Sequence, residues 1–169
     1  MTKTHIFLSF ISTIALTGCN DTAQVSTKKE ETVAKNNLAK TSNEKEIQLF
    51  KAVKEGNTKA ISELLKQGVN VNARDQHGWT PLIHAAGDGR IDIVTILINN
   101  RADVNAQNNH GFSALMGASG FGSKEIVELL IKNKVKINAK DSSGDTALDE
   151  AEQEGQKTII KILRDNGAE

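Results

Sequence analysis

The chain is poor in cysteine, in aromatic residues and in net charge, and each shortage narrows what the protein can be. It has one cysteine, so an internal disulfide is impossible and stability must come from packing. Its 21 basic and 21 acidic residues cancel, so composition indicates no attraction to nucleic acid or to an acidic surface. Aromatic residues make up only 4% of the chain, with a single tryptophan and no tyrosine.

What is present is a period of 33 residues that runs through most of the chain. Four kinds of residue return at this spacing: Leu49, Leu82, Leu115 and Leu148; Ala52, Ala85, Ala118 and Ala151; Gly56, Gly89, Gly122 and Gly155; and Leu64, Leu97, Leu130 and Leu163. A period this exact means that one supersecondary unit is stacked on copies of itself. Such a stack offers an extended binding surface and no deep cleft of its own for chemistry.

The residues between these markers identify the unit. The second copy reads Asp75-Gln-His-Gly-Trp-Thr-Pro-Leu82, then Ala85-Ala86, Gly89, Ile93-Val94, Leu97-Ile98 and Ala102-Asp-Val-Asn-Ala106. It resembles an ankyrin repeat, whose pattern is D-x-x-G-x-T-P-L, two alanines, a glycine, V-x-x-L-L and A-D-V-N-A. The third and fourth copies match from Asn108 and Asp141, whereas the first lacks the turn segment. The resemblance implies an all-α ankyrin-repeat solenoid of four helix-turn-helix repeats, two internal and two capping, with short β-turn hairpins.

Local residue chemistry agrees with this unit. Thr80 and Pro81 suit the start of a helix, because threonine caps well and proline is tolerated at the first helical position. The recurrent glycine belongs in the turn between helices, where we expect a positive φ. Arg101 and Lys134 depart from the pattern, since they stand where a glycine ends the second helix in other copies. We expect each to cost about 1 kcal/mol if the left-handed conformation is needed there.

The first 18 residues differ from the repeats. An apolar run from Ile6 to Leu16 follows Lys3 and His5; it is too short to span a membrane and is typical of a secretory signal. It ends in Leu16-Thr17-Gly18-Cys19, which resembles a bacterial lipobox. That resemblance implies cleavage before Cys19 and acylation of the cysteine, and more than one acyl chain anchors a protein durably. The alternative is a cytoplasmic protein with an apolar start and a stray cysteine.

These patterns predict three segments: a signal peptide at residues 1–18, a lipidated cysteine with a disordered tether at residues 19–44, and repeats at about 45–74, 75–107, 108–140 and 141–169. The tether is polar and lacks aromatic residues, so it cannot fold alone. A flexible tether of about 25 residues spans roughly 25–30 Å. Asn20 follows the cysteine and, by resemblance to other lipoproteins, favours the outer membrane facing the periplasm if the host has two membranes.

No catalytic or metal site is expected. The chain has no G-x-S-x-G, P-loop or H-E-x-x-H motif. His77, His84 and His110 lack the short spacing of converging ligands, so we interpret them as surface or contact histidines. Asp149 and Glu150 are adjacent and should point apart on a helix. Just before the acidic last repeat lies a cluster of four lysines: Lys132, Lys134, Lys136 and Lys140. We interpret them as a solvated face whose charge complements the acidic repeat. The alternative is a basic patch that binds anionic lipid or an acidic partner.

The resemblance also implies a binding surface, because ankyrin proteins usually bind partners with their loop tips and the exposed side of their first helices. Carried over position by position, this predicts Gln76, His77, Trp79, Asp88, Asn109, His110, Phe112, Phe121, Ser142, Ser143, Asp145 and Glu154. The three aromatic residues in this set resemble a binding hot spot. The alternative is that Trp79 and Phe112 only cover the turn and stabilise stacking.

Together these observations predict a monomeric, non-enzymatic adaptor without a cofactor, held in the bacterial envelope by a lipid anchor. Its expected partner is an envelope or secreted protein, and not nucleic acid. Two alternatives remain open: a periplasmic immunity protein that neutralises a secreted toxin, and an accessory or protective factor for a periplasmic enzyme.

Overall fold

The computed structural model describes residues 43–169, and these form eight helices with no strand among them. The helices are joined in pairs by tight turns, with bounds α1 (43–55), α2 (Thr58–Lys66), α3 (Pro81–Gly87), α4 (Ile91–Asn99), α5 (Ala114–Phe121), α6 (Lys124–Lys132), α7 (Ala147–Gln153) and α8 (Lys157–Asp165). The first helices of successive pairs contact each other, as α3, α5 and α7 do, and so do the second helices α2, α4, α6 and α8. The predicted all-α ankyrin solenoid is confirmed.

The first helices α3, α5 and α7 each begin with a side-chain cap. The Thr80 hydroxyl accepts a hydrogen bond from the Ile83 N–H at 3.3 Å, and Pro81 occupies the first helical turn. Ser113 and Thr146 cap α5 and α7 in the same way. Such a cap satisfies a backbone donor that has no partner within the helix, so the short first helices start at a defined residue.

One continuous hydrophobic core runs along the stack. The recurrent alanines of the first helices are buried, with Ala85, Ala118 and Ala151 fully inaccessible, as are the leucines of the second helices such as Leu97 and Leu130. Burying a leucine side chain contributes about 1.5–3 kcal/mol, and each of these side chains is covered by neighbours from adjacent pairs. The core therefore continues from one repeat to the next, and a single repeat could not cover its own apolar side chains.

The second helices end in a left-handed residue, including the two positions that lack glycine. Arg101 has φ 67° and Lys134 has φ 62°, compared with 81° and 90° at the equivalent Gly68 and Gly167. The left-handed conformation expected from the sequence is therefore confirmed at both departures. A residue with a Cβ lowers the stability of the fold by about 1 kcal/mol in this region, so the two middle repeats carry a local strain that is absent from the end repeats.

The loops between repeats are tight hairpins built around one acidic or amide side chain. In the first described hairpin, Asp75 Oδ1 accepts hydrogen bonds from the N–H groups of His77 and Trp79, at 2.9 and 3.0 Å. Asn108 and Asp141 do the same two and four residues ahead of themselves. A single antiparallel bridge, between Gln107 and Ser113, is the sheet-like pairing in the described region.

Hydrogen bonds between hairpin tips tie one repeat to the next. The Asn109 N–H donates to the His77 carbonyl at 3.1 Å, and the Ser142 N–H donates to the His110 carbonyl at 2.8 Å. A second row of contacts lies at the other end of each loop, where the Asn105 side chain accepts from the Lys136 N–H at 2.7 Å. These bonds satisfy loop backbone groups and fix the spacing of the tips.

Residues 1–42 lie outside the described part of the chain, and with them the predicted signal peptide, Cys19 and nearly all of the predicted tether. Residues 43 and 44, predicted as the end of the tether, belong to α1. Of the helices in residues 43–169, none has the length and apolar character needed to cross a membrane.

Candidate functional site

The first helices and their hairpins line a groove, which we call the central groove. It has a volume of about 350 Å³ and is lined by Trp79, His84, Gly87, Asp88, Phe112, Met116, Gly117, Gly120 and Glu150. A second depression of about 530 Å³ shares His84 and extends along α1, where Ile47, Phe50 and Lys54 face Arg74, Asp75 and Gln76. The two depressions meet at His84.

Glycines keep the central groove open. Gly117 has the same repeat position as His84 and Glu150, so the middle repeat lacks a side chain where its two neighbours have large ones. Helices α3 and α5 approach closely there, because a Cβ at Gly117 would lie only 3.1 Å from the backbone of Gly87. Gly120 lies beside Glu150, since a Cβ on Gly120 would be 3.6 Å from a carboxylate oxygen of Glu150.

A row of four rings runs from the central groove into the second depression. Trp79 stacks on His84 with ring centroids 5.0 Å apart, and it packs against Phe112 of the next repeat at 5.5 Å. The His84 ring also meets Phe50 of the first repeat edge-on at 5.8 Å. Trp79 and Phe112 pack against the core and are half-buried, yet both line the groove. The rings therefore serve stacking and also offer apolar surface to a ligand.

Asp75 fixes the orientation of the His84 ring. Its Oδ2 lies 3.3 Å from His84 Nε2, while Oδ1 holds the hairpin backbone. Burial opposes ionisation of Asp75, but the N–H groups of His77 and Trp79, together with the His84 ring, outweigh it and lower the pKa of Asp75 below its usual value. The carboxylate thus connects the fold of the hairpin to the position of the ring beneath Trp79.

The two adjacent carboxylates of α7 have different environments. Asp149 belongs to the helix cap: hydrogen bonds from the Thr146 hydroxyl and N–H, both 2.7 Å long, hold the pKa of Asp149 below its usual value. Glu150 lines the groove, and burial, followed by repulsion from Asp141 and Asp145, raises the pKa of Glu150. Within residues 43–169 the Glu150 carboxylate has no hydrogen-bond or ion-pair partner. The pair is therefore not a shared acid–base site.

The structure places the predicted partner-binding residues in three groups. Trp79, Asp88 and Phe112 line the central groove. The residues at the hairpin tips are exposed, although several of their backbone groups are used between tips: Gln76, His77, Asn109, His110, Ser142 and Ser143. The remaining three residues lie around the groove. Phe121 is 57% exposed and covers the turn of the preceding repeat. Glu154 lies near Gly120, and Asp145 is among the acids that repel Glu150.

Six residues that line the groove were absent from the predicted binding set: Gly87, Met116, Gly120, His84, Gly117 and Glu150. For the last three a signal existed in the sequence, because they share one repeat position with Lys51, and the four residues there have nothing in common. Two residues before this position every copy has leucine, and one residue after it every copy has alanine. A variable position inside such a constant pattern indicates exposure on the surface of the stack. Within residues 43–169, no group of three or more His, Cys, Asp or Glu is arranged to hold a metal ion.

Stacked helix pairs with capped first helices and hairpin loops define a helical repeat protein that binds other molecules on an extended surface. A family model described as ankyrin repeats, in three copies, matches residues 15–108 and 100–169. The chain belongs to the ankyrin-repeat family, and this membership indicates a module for protein–protein interaction. No curated protein matches the chain.

Proposed function

We propose that the protein is a non-enzymatic adaptor that holds a partner protein against the central groove and the neighbouring hairpin tips. The observation that carries this proposal is the groove itself, in which Trp79 and Phe112 from successive repeats converge beside Gly117 and Gly120. Large aromatic side chains beside an open surface are typical of the residues that supply most binding energy at interfaces.

The cellular part of the proposal rests on the amino-terminal sequence. An apolar run followed by Leu16-Thr17-Gly18-Cys19 favours lipidation of Cys19, and a polar tether to the repeats would leave their groove accessible. We therefore propose a lipid-anchored adaptor in the bacterial envelope, outside the cytoplasm, at the outer membrane where the host has two. Fractionation of cells that express the wild type or Cys19→Ala tests this: the substitution should release the protein from the membrane fraction and abolish labelling by a fatty-acid analogue. Equal membrane binding by both proteins would overturn the anchor.

The adaptor proposal is tested by affinity capture from envelope extract, with residues 20–169 as bait. The informative variant fills the groove instead of truncating its walls: Gly87→Gln with Gly120→Gln. Both glycines are helical and have room for a Cβ, with nothing within 4 Å at Gly87 and 3.6 Å at Gly120. Lys54 and Gln153 occupy the same repeat position naturally, so the fold accepts a long side chain there.

A matched control adds glutamine to the opposite helices, at the exposed and equivalent positions Asn99 and Lys132. We expect a protein that the wild type and the control capture and that the groove-filled variant loses. Equal capture by all three baits would place the partner on another face, and absence of any captured protein would overturn the adaptor. A captured toxin would select the immunity alternative, and a captured periplasmic enzyme would select the accessory alternative.

A further inference from the structure

The walls of the central groove combine apolar rings with unpaired negative charge. Trp79 and Phe112 provide the rings, while Asp88 and Glu150 provide carboxylates on the same lining. Gly87 and Gly120 lie on the same lining and leave space there, because nothing lies within 4 Å of a Cβ built at Gly87 and the nearest atom to one at Gly120 is 3.6 Å away. A ligand that fills this space must therefore contact aromatic surface along its length and face carboxylates.

In the part of the chain that the structure describes, no lysine or arginine pairs with these carboxylates. Among the described residues, no lysine or arginine lines the central groove, and the one ring with a titratable nitrogen there, His84, is engaged by Asp75. Further acids surround Glu150, and their repulsion adds to burial in raising the pKa of Glu150: Asp141, Asp145, Glu154 and Asp149. The groove therefore presents aromatic rings and carboxylates on one lining, without a lysine or arginine from residues 43–169.

We propose that the central groove receives a lysine or arginine side chain of the partner protein, with its alkyl stem along the exposed surface of Trp79 and Phe112 and its cationic group at Glu150. This inference rests on the adaptor function and specifies its ligand. A cation is attracted by the face of an aromatic ring, most strongly by tryptophan, and charge-assisted hydrogen bonds to a carboxylate add to that attraction. An unbranched chain of methylenes also suits a floor of glycines, because it can lie flat along the open backbone.

Other ligands fit the same lining less well. An acidic side chain would be repelled by Glu150 and Asp88, because like charges across an interface oppose binding. A purely apolar side chain would cover Glu150 without pairing it, and burial of an unpaired charge is costly. A cationic side chain satisfies both the rings and the carboxylates.

The single tryptophan makes the test specific to the groove, since all tryptophan fluorescence arises from Trp79. Residues 20–169 are titrated with three capped tripeptides, acetyl-Gly-X-Gly-amide, in which X is lysine, arginine or norleucine. Norleucine has the same stem as lysine but no charge. We expect saturable fluorescence changes with the lysine and arginine peptides, with dissociation constants on the order of millimolar because the peptides are small. The norleucine peptide should bind at least about tenfold more weakly.

Glu150→Gln should weaken lysine binding about tenfold, because its charge partner is removed, and should not weaken norleucine binding, because norleucine no longer covers an unpaired charge. The repeat position of Glu150 already tolerates lysine, histidine and glycine in other repeats, so this variant should remain folded, which circular dichroism verifies. Glu125→Gln, on the exposed part of α6, is the matched control and should behave as wild type. Equal affinity for lysine and norleucine, no saturable response, or an unaltered affinity in Glu150→Gln would each overturn the inference.

The two proposals fail separately. If groove filling abolishes capture of a partner but the tripeptides show no preference for a cation, the adaptor stands and the cationic ligand is wrong. If no protein is captured in any bait experiment, the adaptor itself is wrong, whatever the tripeptides do.

Discussion

The ring of Phe121 lies against the backbone of Gly89, the turn glycine of the preceding repeat, in the space that a Cβ would occupy. The relationship recurs along the stack: the Arg90 side chain covers Gly56, and the Gln156 side chain covers Gly122. Each of these turn glycines is therefore required for its φ and also for the space that the next repeat fills. Only in the last repeat is the turn uncovered, since nothing lies within 4 Å of a Cβ built at Gly155.

Gly89 and Gly155 allow these two requirements to be separated, because both have φ 67°. We expect Gly155→Ala to destabilise the protein by about 1 kcal/mol, the cost of a Cβ in the left-handed region. Gly89→Ala should cost about 2–4 kcal/mol, because the Cβ must also displace the Phe121 ring. Urea denaturation measures both. Equal losses would contradict the packing role of Phe121, and in a Phe121→Ala background the extra cost of Gly89→Ala should disappear.

Arg101 and Lys134 should respond in the opposite direction. Arg101→Gly and Lys134→Gly are each expected to stabilise the protein by about 0.5–1 kcal/mol, because glycine adopts the observed positive φ without strain but gains freedom in the unfolded chain. Thermal unfolding measures the gain. Arg101→Ala retains a Cβ and should give no increase, so stabilisation by alanine as well would point to the arginine side chain and away from backbone strain.

Ser119 is expected to be a site where alanine is better than the native residue. Its hydroxyl is buried and lacks a hydrogen-bond partner, and Ala86 occupies the same position in the preceding repeat. Ser119→Ala should therefore stabilise the protein by about 1 kcal/mol, because an unpaired buried hydroxyl is removed. Ser113→Ala is the informative comparison, since it removes the cap of α5 and should cost about 1 kcal/mol. A loss of stability in Ser119→Ala would show that the hydroxyl has a bonding partner.

Glu150 and Asp149 should change the stability of the protein with pH in opposite directions. The folded-state pKa of Glu150 lies above its ordinary value of 4.5, so the ionised carboxylate is unfavourable in the fold. Glu150→Gln should therefore stabilise the protein at neutral pH, and this gain should vanish as pH falls below 4.5, where the native glutamate is protonated in both states. Asp149 has a pKa below its ordinary value of 3.8, so its contribution is present above that pH and is lost at lower pH.

Denaturation of the wild type and Glu150→Gln at neutral pH and at about pH 4 tests this linkage. A gain of the same size at both values would mean that the substitution acts through packing and not through charge. Asp149→Asn provides the contrast: it should destabilise the protein most at neutral pH and progressively less in acid.

Much of the repeat could be predicted from short stretches of sequence, because its determinants act locally. The cap at Thr80, the turn glycine at Gly89 and the left-handed conformation at Arg101 each depend on a few neighbouring residues, and all three agree with the structure. The candidate site was harder to predict from the sequence than the repeat was. Trp79 and Phe112 could be predicted as aromatic residues on a polar surface. His84 was interpreted only as a surface or contact histidine and Glu150 only as a neighbour of Asp149, because nothing in the sequence shows which side chains of successive repeats line one groove.

The sequence by itself determined the unit, its number of copies and the residues that start and end its helices, since contacts inside 33 residues decide these features. Only the tertiary structure decided which side chains meet across copies: Phe121 with Gly89, Trp79 with Phe112, and Glu150 with Gly120. The physical reason is that each such pair brings together residues about 30 apart in the chain, and their distance depends on how closely the helices pack. The glycines at 87 and 117 set that approach, and the groove follows from it.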